Sequence, residues 1–200
     1  MTPTVTPMTY GRDASIARFS VARYQRMVET GILTADDKVE LLENYVVLKM
    51  PRNPPHDSTI QRMLEKLFPC RPPGWGLRVQ SAIALADSQP EPDFAFVRGS
   101  AADYENHHPG ATETGLVIEV ADSSLLRDQR DKTRIYARAG LPCYWIINLV
   151  DRRIEVYSQP SGPTAVPAYG SFQTYQPGDA LPLILDGITV GMVPVSELLR

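Results

Sequence analysis

Two charged side chains in residues 115–140, GLVIEVADSSLLRDQRDKTRIYARAG, stand where apolar residues are expected. The alternation of GLVIEV is typical of a strand and places Glu119 on the same face as Val117 and Ala121. An almost continuous apolar strand is usually buried on both faces, and an ionised carboxylate there is costly unless a cation pairs with it. We therefore expect a positive group opposite Glu119.

The second half of this stretch is predicted to be a helix that carries Lys132 on its sheet-facing side. At about 100° per residue, Ile135, Tyr136 and Ala139 point in one direction, and Lys132 lies in the middle of the same sector. The strand and the helix are therefore expected to turn Glu119 and Lys132 toward each other.

Four arginines of the same helix are predicted to share a separate, narrow stripe: Arg127, Arg130, Arg134 and Arg138. Such a stripe is typical of a solvated helix face, and it is also suited to holding a phosphate backbone. These arginines are candidate nucleic-acid contacts.

A second carboxylate, Asp93, enters the neighbouring predicted strand in PEPDFAFV. Carboxylate oxygens suit Mg²⁺ or Mn²⁺, which polarise a phosphodiester, stabilise the leaving oxygen and lower the pKa of an attacking water. Lys132 would orient that water or offset transition-state charge. A structural interpretation stands beside this one: Glu119 and Lys132 as an ion pair, and Asp93 as a turn or cap residue.

The surrounding elements predict an α/β fold with a central mixed sheet flanked by helices, because strand–helix–strand passages favour parallel neighbours and hairpins favour antiparallel ones. Ser15 is the expected cap of a helix that runs to about Thr30. The expected later elements are a hairpin at 38–50 with Asn44 in its turn, a helix at 56–68, strands at 77–86, 93–98, 115–120, 143–149 and 153–158, a loop at 159–170, and edge strands from 172 onward.

The whole-chain properties favour one domain and no extensive polyanion surface. The chain has 200 residues and a formal net charge of −3, so any nucleic-acid site must be local. Residues 1–12 are predicted to be a flexible tail, and residues 13–200 a single domain. No membrane span or signal segment is expected, which favours a cytoplasmic location. Cys70 and Cys143 are expected to be reduced thiols.

The order of these motifs resembles the PD-(D/E)XK nuclease superfamily, which has the restriction-endonuclease-like fold, and more narrowly the Uma-two family of restriction endonucleases. The resemblance implies that Asp93 and Glu119 are metal ligands and that Glu40 is a further acidic residue of the site. The superfamily lysine normally stands two residues after the glutamate, where this chain has Ala121, and Lys132 looks like its migrated replacement. The matching stretches are VELLEN (39–44), MPRNPPH (50–56), PEPDFAFV (90–97), VIEVADSS (117–124), RDQRDKTRIYARAGLPCYWIIN (127–148) and IEVYS (154–158).

The main functional hypothesis is a Mg²⁺-dependent endonuclease that acts on DNA, with a homodimer as the expected assembly. A second hypothesis is a nuclease-fold protein that binds nucleic acid or another protein without cleaving, since the net charge is acidic and no lysine-rich tail is present. A third is a structural homodimer whose charged cluster is only an ion-pair network. His56 is left open as a helix N-terminal residue, a dimer contact or a site residue.

Overall fold

The computed structural model describes residues 16–199, so the predicted tail at 1–12 lies outside the described residues. Helix α1, Val21–Glu29, begins after Ser20, whose hydroxyl accepts a hydrogen bond from the Arg23 backbone N–H at 3.3 Å. The predicted helix is therefore confirmed at its C-terminal end, near Thr30, but its predicted start is wrong; Ser15, the predicted cap, lies outside the described residues. Residues 16–20 are not helical, and Ser20 supplies the cap five residues later.

Six strands form the central mixed sheet, in the order β3-β4-β5-β6-β7-β8. Neighbours β5 and β6 are parallel, whereas every other adjacent pair in this sheet is antiparallel. The parallel pair is joined by the helical crossover at 125–139, as a strand–helix–strand passage requires. The six strands are Trp75–Val79 (β3), Phe94–Arg98 (β4), Thr114–Ala121 (β5), Cys143–Asn148 (β6), Arg153–Pro160 (β7) and Tyr169–Tyr175 (β8).

The predicted hairpin near the N-terminus is confirmed, and it forms a sheet of its own. Strands β1, Val39–Leu42, and β2, Tyr45–Leu48, pair antiparallel. Glu43 and Asn44 connect them with φ angles of 50° and 67°. Two successive left-handed residues are the signature of a tight hairpin turn, and asparagine tolerates this conformation.

The strands after β8 do not extend the edge of the central sheet. Strands β9, Ala180–Leu185, and β10, Ile188–Pro194, pair only with each other among the described strands, and a short helix, α5 (Val195–Leu198), follows. Leu181, Leu183 and Leu185 alternate along β9 and are buried in the core. The burial of these leucines places β9 against the face of the central sheet and not at its edge. Strand β8 therefore remains an edge strand of that sheet.

The predicted strand at 77–86 ends much earlier, at Val79. Gln80 follows with a φ of 47°, and residues 80–93 form an irregular, largely buried segment with only isolated bridges. Ile83 is fully buried even though it lies outside a strand. The apolar residues there reflect burial of an irregular segment, which periodicity alone does not separate from a strand.

Two hydrophobic cores cover the two faces of the sheet. Helix α2, Pro54–Leu67, packs with β9 on the face that carries Leu116 and Ile118. The helix of the crossover packs on the face that carries Val117. The alternation predicted for β5 is thus confirmed, and Glu119 belongs to the face under the crossover helix.

The crossover helix is not a regular α-helix. It consists of α3, Leu125–Arg127, a π-helical segment, Asp128–Lys132, and α4, Thr133–Ala139, which ends at Gly140 with a φ of 76°. The prediction of one continuous helix with a uniform 100° period is wrong over the π-helical segment, because a π turn holds more residues. None of the helices in residues 16–199 combines the length and the apolar character that a membrane crossing requires. Cys70 and Cys143 are both free, as expected.

Gly115 provides a test of how tightly β5 packs against β3. A Cβ atom at this position would lie 2.5 Å from Cη2 of Trp75, so the indole would have to move. We expect Gly115→Ala to lower the free energy of unfolding by about 1–3 kcal/mol, measured by urea denaturation.

Gly110→Ala is the matched control, since an added Cβ there meets its nearest atom at an ordinary 3.6 Å. We expect a change of no more than about 0.5 kcal/mol. Equal effects of the two substitutions would contradict the packing described for Trp75.

Candidate active site

The carboxylate of Glu119 lies under the crossover helix and is bonded to it twice. Lys132 Nζ donates to Glu119 Oε1 at 2.8 Å, and the Tyr136 hydroxyl donates to the same oxygen at 2.8 Å. Glu119 is 4 % exposed and Lys132 6 % exposed. The predicted approach of these two residues is therefore a buried ion pair.

Two further carboxylates surround the Lys132 ammonium. Glu40 Oε2 on β1 and Asp128 Oδ1 on the π-helical segment each lie 3.8 Å from Nζ. Both residues are buried, at 3 % and 1 % exposed. Three carboxylates therefore face one ammonium, and the cluster carries an excess of acidic groups.

The excess of acidic groups and their burial shift the pKa values of the residues in this cluster. Burial raises the pKa of Glu119 to about 8, and the nearby acidic groups Asp128, Asp93 and Glu40 add to the effect while Lys132 opposes it. Burial also raises the pKa of Asp128. Burial alone would lower the pKa of Lys132, but Glu119 first and then the other two carboxylates raise it, so the lysine stays charged.

Asp93 lies at the entry to β4 and reaches the backbone next to Glu119. Its Oδ2 accepts hydrogen bonds from the Val120 backbone N–H at 2.9 Å and lies 3.2 Å from His56 Nε2. Burial alone would raise the pKa of Asp93, but the contacts with His56, Val120 and Lys132 outweigh it and lower the pKa. These contacts therefore favour the ionised form of Asp93.

His56 lies in the first turn of α2 and contacts the site. Its backbone N–H is bonded to the Asn53 cap at 3.1 Å, while its ring faces Asp93. Burial alone would lower the pKa of His56, but the hydrogen bond to Asp93 and the charge of Asp93 raise it overall. Of the three alternatives considered, the structure shows both a helix N-terminal position and a contact with a candidate site residue.

One cavity of about 80 Å³ connects these groups, which is room for a few water molecules. The acidic residues Glu40, Asp93, Glu119 and Asp128 line it together with Lys132. Residues Lys49, Arg52, Asn53, Asp122 and Arg127 also lie in its wall. All four residues predicted as catalytic thus border the same cavity, and Asp128 joins them.

The oxygen donors of this cavity fit a cation that keeps part of its water shell. Within residues 16–199, no three His, Cys, Asp or Glu side chains form a ready-made metal cage. Mg²⁺, however, is commonly bound by one or two carboxylates, with waters and substrate phosphates completing its shell. Glu119 uses Oε1 for both of its protein hydrogen bonds, and Asp93 Oδ1 has only a long contact of 3.4 Å from Gln80. Asp93 and Glu119 therefore fit such a cation.

The predicted arginine stripe is not one open surface. Arg134 donates to Glu43 at 2.5 Å, and Arg138 donates to Glu43 at 2.7 Å and also pairs with Asp87 at 2.9 Å. These two arginines hold the β1–β2 turn. Their carboxylate partners leave them poorly placed to hold a phosphate.

Arg127 and Arg130 have different surroundings. Arg127 donates to the Leu48 carbonyl at 2.7 Å and lies in the cavity wall, whereas the Arg130 side chain is 79 % exposed and pairs with its neighbour Asp131. Arg127 precedes the π-helical segment and Arg130 lies within it, whereas Arg134 and Arg138 belong to α4. Arg127 is the member of the four that borders the site.

Sequence reasoning missed Asp128 and the role of Tyr136 as a hydrogen-bond donor. Asp128 precedes Lys132 by four residues, a spacing that places both on one side of a helix. Tyr136 was expected only as an apolar contact, yet its hydroxyl reaches Glu119. Spacing from Lys132 was the signal that could have identified both.

A second polar cluster, centred on Glu155 of β7, was also missed. Its buried carboxylate accepts hydrogen bonds from Asn148 at 2.9 Å, Gln129 at 2.9 Å, Arg153 at 3.0 Å and Tyr157 at 2.9 Å. Burial alone would raise the pKa of Glu155, but these four donors outweigh it and lower the pKa. The cluster ties the π-helical segment to β6 and β7.

Comparison with known proteins places this geometry in a family. The sequence model of the family described as "Uma2: Putative restriction endonuclease" matches residues 21–192. No match is found among curated proteins. The structure is similar to a crystal structure from Anabaena variabilis described as a "putative nuclease belonging to DUF820", with a TM-score of 0.66 and 12% sequence identity. The similarity covers 90% of this chain and 97% of that one, and it shows a shared fold.

Glu155 gives a stability prediction with a defined pH dependence. A glutamine cannot accept from all four donors, because its own NH₂ group would face one of them. We expect Glu155→Gln to lower the free energy of unfolding at pH 7 by about 2 kcal/mol, since hydrogen bonds to a charged group are lost.

The folded-state pKa of Glu155 lies below its unfolded value, so its stabilisation is complete above about pH 4.5 and is lost as the pH falls through the folded pKa. The difference between wild type and variant should therefore shrink toward pH 3 in urea titrations. A difference that is independent of pH would show that the carboxylate charge has no part in holding the cluster.

Proposed function

Because this chain belongs to the Uma2 family, we propose that it is a divalent-metal-dependent endonuclease that hydrolyses phosphodiester bonds of DNA. The observation that carries the proposal is the clustering of four buried carboxylates around a single cavity, three of them facing one buried lysine. Such an excess of buried negative charge is costly unless protons or a cation offset it. A divalent cation that offsets this charge could also polarise the phosphate of a phosphodiester substrate.

The chain's own residues would divide the work as follows. Asp93 and Glu119 would hold Mg²⁺ or Mn²⁺, which when bound polarises the phosphate and offsets the charge of the leaving oxygen. Lys132, charged and buried, would orient the attacking water or stabilise the transition state. Glu119 first, and then Glu40 and Asp128, keep the lysine charged, and His56 helps to keep Asp93 ionised.

Substrate contacts would come from basic residues in the cavity wall. Lys49 lies there but is paired with Glu91, whereas Arg52 and Arg127 donate to neutral groups; Arg127 also belongs to the arginines predicted from the sequence. Cationic side chains of this kind position a phosphate backbone without reading its sequence. We propose that Arg127, and not Arg134 or Arg138, contacts the backbone.

A second candidate function is a nuclease-fold module that binds nucleic acid without cleaving it. The observation that favours it is the pair of hydrogen bonds that Lys132 and Tyr136 donate to Glu119 Oε1, because they satisfy this oxygen without a metal ion. DNA retention with no divalent-dependent product would support this alternative.

The remaining sequence predictions are part of the same proposal. We propose that residues 13–200 form one domain, which agrees with a family match over 21–192. A homodimer in the cytoplasm stays a prediction, to be checked by light scattering after gel filtration and by cell fractionation.

Cleavage of plasmid DNA and of a single-stranded oligonucleotide tests the main proposal. We expect wild type to cut in Mg²⁺ or Mn²⁺ and to be inactive in EDTA. Asp93→Asn, Glu119→Gln and Lys132→Met should each lower the rate by about 100-fold or more, because each removes a charge that acts in the transition state.

Asp186→Asn serves as the control for that assay. Asp186 lies in the β9–β10 turn with a φ of 52°, which asparagine tolerates, and its side chain pairs with Arg98. We expect its activity to equal wild type. Cutting that persists unchanged in Glu119→Gln and Lys132→Met would refute the assignment of this site.

Thermal unfolding with added Mn²⁺ gives an independent measurement. A ligand of the native state must raise the melting temperature, so we expect a rise in wild type that is lost in Glu119→Gln. Because the pKa of Glu119 is raised to about 8, a proton competes with the cation below that pH. The rise should therefore be larger at pH 8.5 than at pH 6.5, and the opposite order would contradict the role of Glu119.

A further inference from the structure

Asp128 carries a buried carboxylate oxygen that has no hydrogen-bond partner. Its Oδ2 accepts from the Ser124 hydroxyl at 2.6 Å, but Oδ1 is buried and unpartnered. The Lys132 ammonium lies 3.8 Å from this oxygen, which is too long for a hydrogen bond. Buried acceptors are nearly always satisfied, so an unsatisfied one beside an ammonium requires a reason.

Glu40 is the matched case on the same ammonium. Its Oε2 also lies 3.8 Å from Lys132 Nζ, but that oxygen accepts a hydrogen bond from the Glu91 backbone N–H at 3.3 Å. Within residues 16–199, Asp128 Oδ1 is the one buried carboxylate oxygen without a partner. Asp128 and Glu40 thus lie at the same distance from the Lys132 ammonium, but only the Asp128 oxygen is free to accept a hydrogen bond.

The π-helical segment creates this arrangement. Asp128 and Lys132 are its first and last residues, and both are buried. The Thr133 backbone N–H and hydroxyl both bond to the Asp128 carbonyl, the hydroxyl at 2.8 Å, so the backbone of the wider turn is satisfied. Isolated π turns are frequent at functional sites. The only unsatisfied hydrogen-bond acceptor of Asp128 is therefore its side-chain oxygen Oδ1.

Lys132 has donors to spare. An ammonium carries three N–H groups, and one of them is used at hydrogen-bond distance, in the contact with Glu119. A movement of the ammonium by about 1 Å would bring it within hydrogen-bond distance of Asp128 Oδ1. Lys132 thus donates to Glu119 in this structure and has a second acceptor, Asp128 Oδ1, within reach of a small movement.

We propose that Asp128 is a positioning residue, whose vacant oxygen takes over the Lys132 ammonium when Glu119 holds a divalent cation. This inference rests on the proposed metal-dependent function. Once Glu119 is shared with a cation, the ammonium is repelled from it, and Asp128 offers a partner inside the site. Lys132 thereby keeps its charge and its place beside the cavity in both states.

Mn²⁺ binding to the full chain without nucleic acid tests the proposal, measured by isothermal titration calorimetry. Asp128→Asn and Glu40→Gln each remove a buried carboxylate whose oxygen lies 3.8 Å from the ammonium, so Glu40→Gln is the matched control. We expect Asp128→Asn to weaken Mn²⁺ binding about tenfold more than Glu40→Gln does. Equal weakening would overturn the proposal. Asp128→Ser repeats the measurement if the asparagine variant does not fold.

A double-mutant cycle with Lys132→Met separates a positioning role from direct ligation. If Asp128 acts through the ammonium, Asp128→Asn has no added effect on Mn²⁺ affinity in the Lys132→Met background. A full tenfold loss in that background would make Asp128 a direct ligand and overturn the positioning role.

The outcomes also separate this inference from the proposed function. A wild-type chain that binds no Mn²⁺ refutes the metal-dependent function, and the inference fails with it. Wild-type binding and cleavage, with equal losses in Asp128→Asn and Glu40→Gln, overturns the inference alone.

Discussion

The buried contact between Glu119 and Lys132 is the interaction on which the rest of this structure depends. It joins the central strand β5 to the crossover helix inside the core, where neither charge is tolerated alone. Tyr136 donates to the same carboxylate oxygen, and Glu40 and Asp128 lie around the same ammonium.

The sequence was sufficient to predict this contact because both partners lie on regular periodicities. Strand alternation fixes the face of Glu119, and the period of α4 fixes the direction of Lys132, since the lysine directly precedes that helix. The π-helical segment was not predictable in the same way. Its extra residue per turn is stabilised by tertiary contacts, such as Gln129 with Glu155, which lie far apart in the chain.

The ion-pair partners of the arginines could not be predicted from the helical period either. The helical period correctly placed Arg134 and Arg138 away from the core, but their partner Glu43 lies 91 and 95 residues earlier in the chain. A period describes one helix and carries no information about which loop packs beside it. The prediction of edge strands from 172 onward is confirmed for β8, but β9 and β10 form a separate hairpin, because β9 is placed by the burial of its leucines.

The turn at Glu43 and Asn44 links the outside of the protein to its site. The hairpin that it closes has only two strands, which are marginal alone, and it carries Glu40 at the cavity. The ion pairs of Glu43 with Arg134 and Arg138 are partly exposed, so dissolved salt screens them far more than the buried pair. We therefore expect higher ionic strength to loosen the hairpin that carries Glu40, without any ion entering the cavity.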